Sequence, residues 1–333
     1  MRAVIYAKSG DPDVLSLVDR PVPDPGPGEV RVAVRVSGVN PTDWKSRRRQ
    51  MGFDEQVPNQ DGAGVIDAVG PGVDPARTGQ RVWIWEAAWQ RPGGTAQEYV
   101  VLPERQAVAL PDGASFDLGA SLGIPALTAH RCLTVAEAGP QRLVPGALSG
   151  RTVLVAGGAG AVGNAAIQLA VWSGARVVTT VSSPEKAELA RAAGAHHVVN
   201  YRTEQAAEAI RSVAPGGVDI VVEVAPATNA ALDGDVLAAN GVVAMYANES
   251  AEPVIPLGRG YALNARWQGV LVYTVPVEAK EHAVADVVAA VAAGAVRVGP
   301  DAGLPLHHFP LERIADAHAA VENNAVGKVL VTI

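Results

Sequence analysis

"TVLVAGGAGAVGNAAIQLAVWSGARVVTTVSS", residues 152–183, sets an apolar run against a glycine cluster, then a helical pattern, then a second β-branched run. That succession reads as a βαβ unit. Gly158, Gly160 and Gly163 form G-x-G-x-x-G directly after the strand and at the opening of the helix. The first glycine suits a tight turn, the second lets the backbone approach a pyrophosphate, and the third lets helix and strand pack closely. Ala161 and Val162 open the helix, whose free N–H groups and positive dipole end would complete a phosphate cradle.

The end of the second strand decides which dinucleotide is held. An NAD site places Asp or Glu there to grip the ribose hydroxyls. Here the strand ends "VVTTVSSPEK", with no acid until Glu185, inside the next helix. Ser182 and Ser183 leave room for a 2′-phosphate and Lys186 supplies charge to it, so the expected cofactor is NADPH.

Outward from this unit, strands are expected at 176–181, 197–199, 218–224, 241–246 and 269–275, with helices at 162–172, 184–193, 203–213 and 228–238. Such alternation requires right-handed parallel crossovers, hence an α/β doubly wound parallel sheet. Residues 1–110 differ: "AVIYA", "EVRVAVRVSGVN", "GAGVIDAVG", "RVWIWEAAW" and "AQEYVVLP" are short strand-like runs broken by "PVPDPGPGE", "PGVDPARTGQ" and "QRPGGT". They predict a β-rich, barrel-type domain, to which the final "FPLERIADAHAAVENNAVGKVLVTI" returns as one helix and one strand.

At 333 residues, 48% hydrophobic and 18% charged, with no long apolar run, the chain reads as globular and without a membrane span. The start "MRAVIYAKSGDPDVL" carries charges where an export signal needs apolar residues, and Cys132 stands alone, so a cytoplasmic location is expected. The net charge of −7 gives nucleic acid no general attraction. "KSRRR" at 45–49 reads as a solvated surface, or as a patch that steers an anionic ligand. The adjacent pairs His196–His197 and His307–His308 lack metal-ligand spacing, and no G-x-S-x-G is present. What remains is hydride transfer by a nicotinamide.

The stretches "VSGVNPTDWKSR", "DGAGVIDAVGPGV", "GTAQEYVVLP", "GIPALTAHRCL", "VLVAGGAGAVGNAAIQLA", "GAHHVVNYRTE" and "GKVLVTI" together resemble the zinc-independent quinone oxidoreductase and enone (alkene) reductase branch of the medium-chain dehydrogenase/reductase superfamily. Zinc-dependent members carry Cys where this chain has Asn40 and His where it has Gln60. The resemblance implies a GroES-like catalytic domain (1–124 and 277–333), a Rossmann domain (125–276), an active site in the cleft between them, and a homodimer paired through the strand near "GVLVYTV". It places Lys186 and Tyr201 at the 2′-phosphate, Tyr246, Asn248, Tyr273 and Thr274 among cofactor contacts, and Asn40 and Thr128 beside the nicotinamide. "NPTDWK" is closer to the enone reductases than to the quinone reductases, which have Tyr at the place of Lys45.

The expected activity is thus NADPH-dependent reduction of a small-molecule α,β-unsaturated carbonyl or quinone without zinc. Lys45 is the expected donor to the carbonyl oxygen as charge develops there, with Asn40 helping to hold nicotinamide or substrate. Asp43 is expected to support this loop. Trp83, Trp85 and Trp89 are read as core or as the lining of a flat pocket. The rivals are a quinone reductase proper and a non-catalytic NADPH-binding sensor.

Overall fold

The Pro and Gly breaks of the first third do cut it into short strands: β1 (Arg2–Ile5), β2 (Ser16–Asp19), β3 (Glu29–Val39), β4 (Asp61–Val69), β5 (Arg81–Ile84), β6 (Tyr99–Pro103) and β7 (Ala107–Ala109). Helix α1 (Pro41–Arg48) leaves β3 directly, with proline at its first position, where the missing N–H costs nothing. Two helices follow, α2 (Phe116–Gly119) and α3 (Gly123–Leu133). The computed structural model describes residues 1–49, 51–247 and 251–333. It divides into two units, residues 1–124 with 306–333, and residues 125–305.

The second unit is the alternating one. Its strands are β8 (Thr152–Ala156), β9 (Arg176–Val181), β10 (His197–Asn200), β11 (Val218–Glu223), β12 (Leu237–Met245) and β13 (Arg266–Gly269). Between them run α4 (Ala161–Trp172), α5 (Pro184–Ala192), α6 (Ala206–Val213), α7 (Pro226–Val236) and α8 (Leu257–Leu263). All strand pairs are parallel, in the order β10-β9-β8-β11-β12-β13. The order reverses between β8 and β11, which makes the carboxyl ends of those strands the ligand position of such a sheet. Leu154, Val178, Val221 and Val243 meet Ile210 and Val236 in its core.

Two boundaries differ from expectation. The strand expected at 269–275 is β13 at Arg266–Gly269, because Asn264 in the left-handed region (φ 50°) ends α8 and starts the strand early. Residues 272–274 form a 3₁₀ turn instead. Helix α9 (Val277–Ala292) was expected with the first domain but belongs to the second unit, which runs to residue 305. Asp286 on α9 explains this: it accepts from His130 Nε2 (2.8 Å), from the Arg142 guanidinium and from Leu143 N (2.7 Å).

The chain then returns to the first unit as β14 (Leu306–Pro310), α10 (Ile314–Glu322) and β15 (Lys328–Thr332). The large sheet there runs β14-β15-β3-β4-β5-β7. Long β3 serves two partners on one side, β6 along residues 29–33 and β15 along residues 36–39. Trp83 and Trp85 are 0% and 6% exposed and lie in the core. The basic run is only partly a solvated surface. Arg47 is fully buried and binds the Gly10 carbonyl and Glu322, while Arg48 pairs with Asp11 (2.8 Å) and Glu322 (3.1 Å), tying α1 to α10.

Candidate functional site

In the second unit, the loop between β8 and α4 turns at Gly157, whose φ of 71° is left-handed, and not at Gly158. Gly158 is a glycine for packing: a Cβ there would lie 2.2 Å from Thr179 Oγ1 and 2.9 Å from Ile167 Cδ1. Gly163 lets α4 sit against the loop, since its Cβ would be 2.4 Å from the Gly157 carbonyl oxygen. Gly160 is different. Its φ of −82° and ψ of 163° suit any residue, and a Cβ would meet nothing nearer than the Gly157 oxygen at 3.5 Å. Nothing within the chain demands a glycine at that position. The space left by the missing side chain lies at the N-cap of α4, where Ala161 and Val162 begin the helix and its N–H groups point outward. A phosphate group fits this cradle.

The neighbouring strand ends complete the rim. Beyond β9, Ser183 caps α5 by accepting from Lys186 N (3.3 Å), and the Lys186 ammonium donates to Ser182 Oγ at 3.0 Å. No carboxylate pairs with Lys186 among the described residues, so its charge is available to an anion. Tyr201 follows β10, half exposed, with its N–H on the Val181 carbonyl (3.1 Å). Tyr246 follows β12, its N–H on the Glu223 carbonyl (3.0 Å). Tyr273 and Thr274 sit in the turn after β13. Asn248 lies outside the described residues. Thr128 is buried in α3. The expected cofactor residues from five strand ends thus share one edge of the sheet.

Sequence reasoning missed a carboxyl pair here. Glu223, at the end of β11, accepts from Asn229 Nδ2 (3.0 Å) and interacts with the buried carboxyl of Asp233 on α7. Burial and the Glu223 charge push Asp233 up to about 9.

The first unit holds a second cluster. Asn40 follows β3 as the N-cap of α1; Asp43 Oδ2 accepts from Asn40 N (2.7 Å) and Asp43 Oδ1 from Gln60 N (3.1 Å). The Asn40 side chain is held at both ends, its Nδ2 donating to Asp61 Oδ2 (2.8 Å) and its Oδ1 accepting from Lys328 Nζ (2.6 Å). Lys328 is 1% exposed and also lies 3.7 Å from Asp61 Oδ2, while Asp61 takes the N–H of Ile124 at 2.9 Å. Burial pushes Lys328 down and Asp61 up, each opposed by the other's charge. Asp43 is pushed up to about 7, by burial first and by Asp61 second. Lys45 stands apart from this network: its ammonium lies 5.7 Å from the Trp44 ring centre, half-buried and unpaired by any carboxylate among the described residues. Asp61 carries no local signal beside a strand-like run, and Lys328 none beyond its place in the motif "GKVLVTI".

Residues 26–112 match the alcohol dehydrogenase GroES-like domain family and residues 161–292 the zinc-binding dehydrogenase family. The quinone oxidoreductase of Lama guanicoe is 30% identical over 100% of this chain and 98% of its own, and that of Homo sapiens 29% over the same shares. The solved structure of mycobacterial Rv1454c complexed with NADPH is 31% identical, covers both chains fully and superposes with a TM-score of 0.82.

The zinc implied by one of those family names finds no suitable donor set among the described residues. Zinc takes thiolate, imidazole or carboxylate ligands. Asn40 and Gln60 offer carboxamides, the Gln60 oxygen already accepts from Ala88 N (3.1 Å), and the Lys328 ammonium supplies the positive charge beside Asp61. No group of three His, Cys, Asp or Glu able to hold a metal occurs among the described residues.

Proposed function

The chain belongs to the medium-chain dehydrogenase/reductase superfamily, and on that footing we propose that it is an NADPH-dependent, zinc-independent reductase of conjugated carbonyl compounds, either quinones or α,β-unsaturated carbonyls. The observation that carries the dinucleotide half of this reading is Gly160, a glycine whose own backbone and neighbours require none, at the N-cap of the helix that ends in the cradle. When bound, NADPH supplies a hydride. The α4 N-terminus would hold its pyrophosphate, and Lys186 with Ser182 its 2′-phosphate, which NADH lacks.

The remaining work is electrostatic. A carbonyl that accepts hydride gains charge on oxygen, and a donor aimed at that oxygen lowers the barrier because it binds the transition state more strongly than the ground state. Lys45 is our donor, since its ammonium is braced on Trp44 and pairs with no carboxylate among the described residues. Asn40 holds the acceptor through the one Nδ2–H that Asp61 leaves free. "NPTDWK" supports an enone, and the names of the relatives support a quinone.

NADPH consumption is to be followed with menadione and with cyclohexenone after chelator treatment, with NADH in parallel. Turnover that survives the chelator and prefers NADPH supports the reading. NADPH binding without turnover of either acceptor refutes the catalytic half, and turnover restored only by zinc refutes the metal-free mechanism.

A further inference from the structure

We propose that Lys328 is a positioning residue: its ammonium, paired with Asp61, fixes which way the Asn40 carboxamide faces and so which hydrogen-bonding atoms Asn40 presents to the acceptor substrate. The inference rests on the reading above in which Asn40 meets that substrate.

Topology brings the two residues together. Strand β15 runs antiparallel to β3 with Val329 opposite Val39 and Leu330 opposite Gly38, so one step further sets Lys328 opposite Asn40. Gly38 keeps the space open, for a Cβ there would come within 3.2 Å of Lys328 Cε and 2.1 Å of the Ala120 carbonyl oxygen. A carboxamide has two donors on nitrogen and two lone pairs on oxygen. In Asn40 one donor goes to Asp61 Oδ2 and one lone pair to Lys328 Nζ. Flipping the amide would face its N–H groups against the ammonium and its oxygen against the carboxylate, leaving two buried charges each opposed by a like pole. The pair therefore admits one orientation. Neutralising both members of the pair would leave the two faces of the amide nearly equivalent, whereas removing the ammonium alone leaves Asp61 as its one constraint.

The test uses Lys328→Met, Lys328→Gln and the double variant Lys328→Met with Asp61→Asn, which removes both members of the charge pair together. With NADPH and menadione, the double variant should keep a melting temperature near that of wild type and an unchanged NADPH Kd. Its kcat should nonetheless fall about 100-fold, as expected for a misplaced catalytic group, with KM altered far less. Lys328→Gln, which retains an N–H for Asn40 Oδ1, should fall between wild type and Lys328→Met. Recovery of kcat together with thermal stability in the double variant would show a purely structural lysine and overturn the proposal. A second readout needs no turnover. In protein labelled with ¹⁵N-asparagine, the Asn40 side-chain resonances, assigned by their loss in Asn40→Ala, should exchange slowly with solvent in wild type and faster in Lys328→Gln. Equal exchange rates overturn the proposal even if the double variant does not fold. If Asn40→Ala itself leaves kcat intact, the role given to Asn40 fails instead, and the exchange result still judges the orientation by Lys328.

Discussion

Adding one methyl group at Gly160 and at Gly163 separates the ligand's demands on the glycine loop from those of the fold. At Gly163 the new Cβ would stand 2.4 Å from the Gly157 oxygen and 3.0 Å from Gly158 Cα, both backbone atoms. Restoring ordinary contact needs α4 to move by about 1 Å, an overpacking that costs roughly 1–3 kcal/mol. Alanine in place of a helical glycine returns about 0.5–1 kcal/mol. The net loss of about 1–2 kcal/mol lowers the melting temperature by roughly 3–6 °C. At Gly160 no such clash arises, since the nearest atom is 3.5 Å away and the backbone is extended at φ −82°. The poorer N-cap and the reduced freedom of the unfolded chain are each worth under about 1 kcal/mol and oppose one another, so stability should hardly change. Yet the methyl group would fill the proposed phosphate position. Loss of one or two hydrogen bonds to a charged group, at about 1.5–3 kcal/mol each, should raise the NADPH Kd at least 10-fold. Thermal melts and NADPH fluorescence titration of both variants make the comparison. A Gly160→Ala protein with wild-type Kd, or one as destabilised as Gly163→Ala, would refute the cradle.

Further outcomes follow from other parts of the structure. Lys186→Ala should weaken NADPH binding about 10-fold and leave NADH unaffected, because in the proposed site only the former brings a 2′-phosphate to that ammonium; equal effects on both in isothermal titrations would remove Lys186 from the site. Lys45→Met should lower kcat by roughly 100-fold with NADPH affinity intact, and unchanged turnover removes it as the donor. Asp233 retains a proton up to about pH 9 when folded but releases it near about 4 when unfolded, so its share of stability is complete at low pH and drains as pH rises through 9. Asp233→Asn should therefore flatten the fall in melting temperature between about pH 6 and pH 9, and an unaltered slope assigns that fall elsewhere. Asp286→Ala leaves His130 and the Leu143 N–H without their acceptor inside the second unit, and chemical denaturation should register a loss of about 2–5 kcal/mol.

What the sequence determined by itself is whatever neighbouring residues decide. Period-two and period-3.6 patterning marked β8, β9, α4 and α5 to within a residue, because side-chain alternation is set along the chain and not across it. The bare G-x-G-x-x-G located the loop but assigned the turn to Gly158. The left-handed φ belongs to Gly157, and the reason for Gly158 is Thr179 on the next strand. Likewise "KSRRR" read as surface, since nothing local announces that Arg47 meets Glu322 from the far end of the chain. Tertiary structure decided the first-unit cluster entirely. Asn40 and Lys328 are 288 residues apart, and only the antiparallel return of β15 beside β3 sets the ammonium against the amide. Burial then does what no local pattern records: it makes an ordinary lysine and two ordinary aspartates depend on one another, because in a site closed to water each charge is stabilised only by the next.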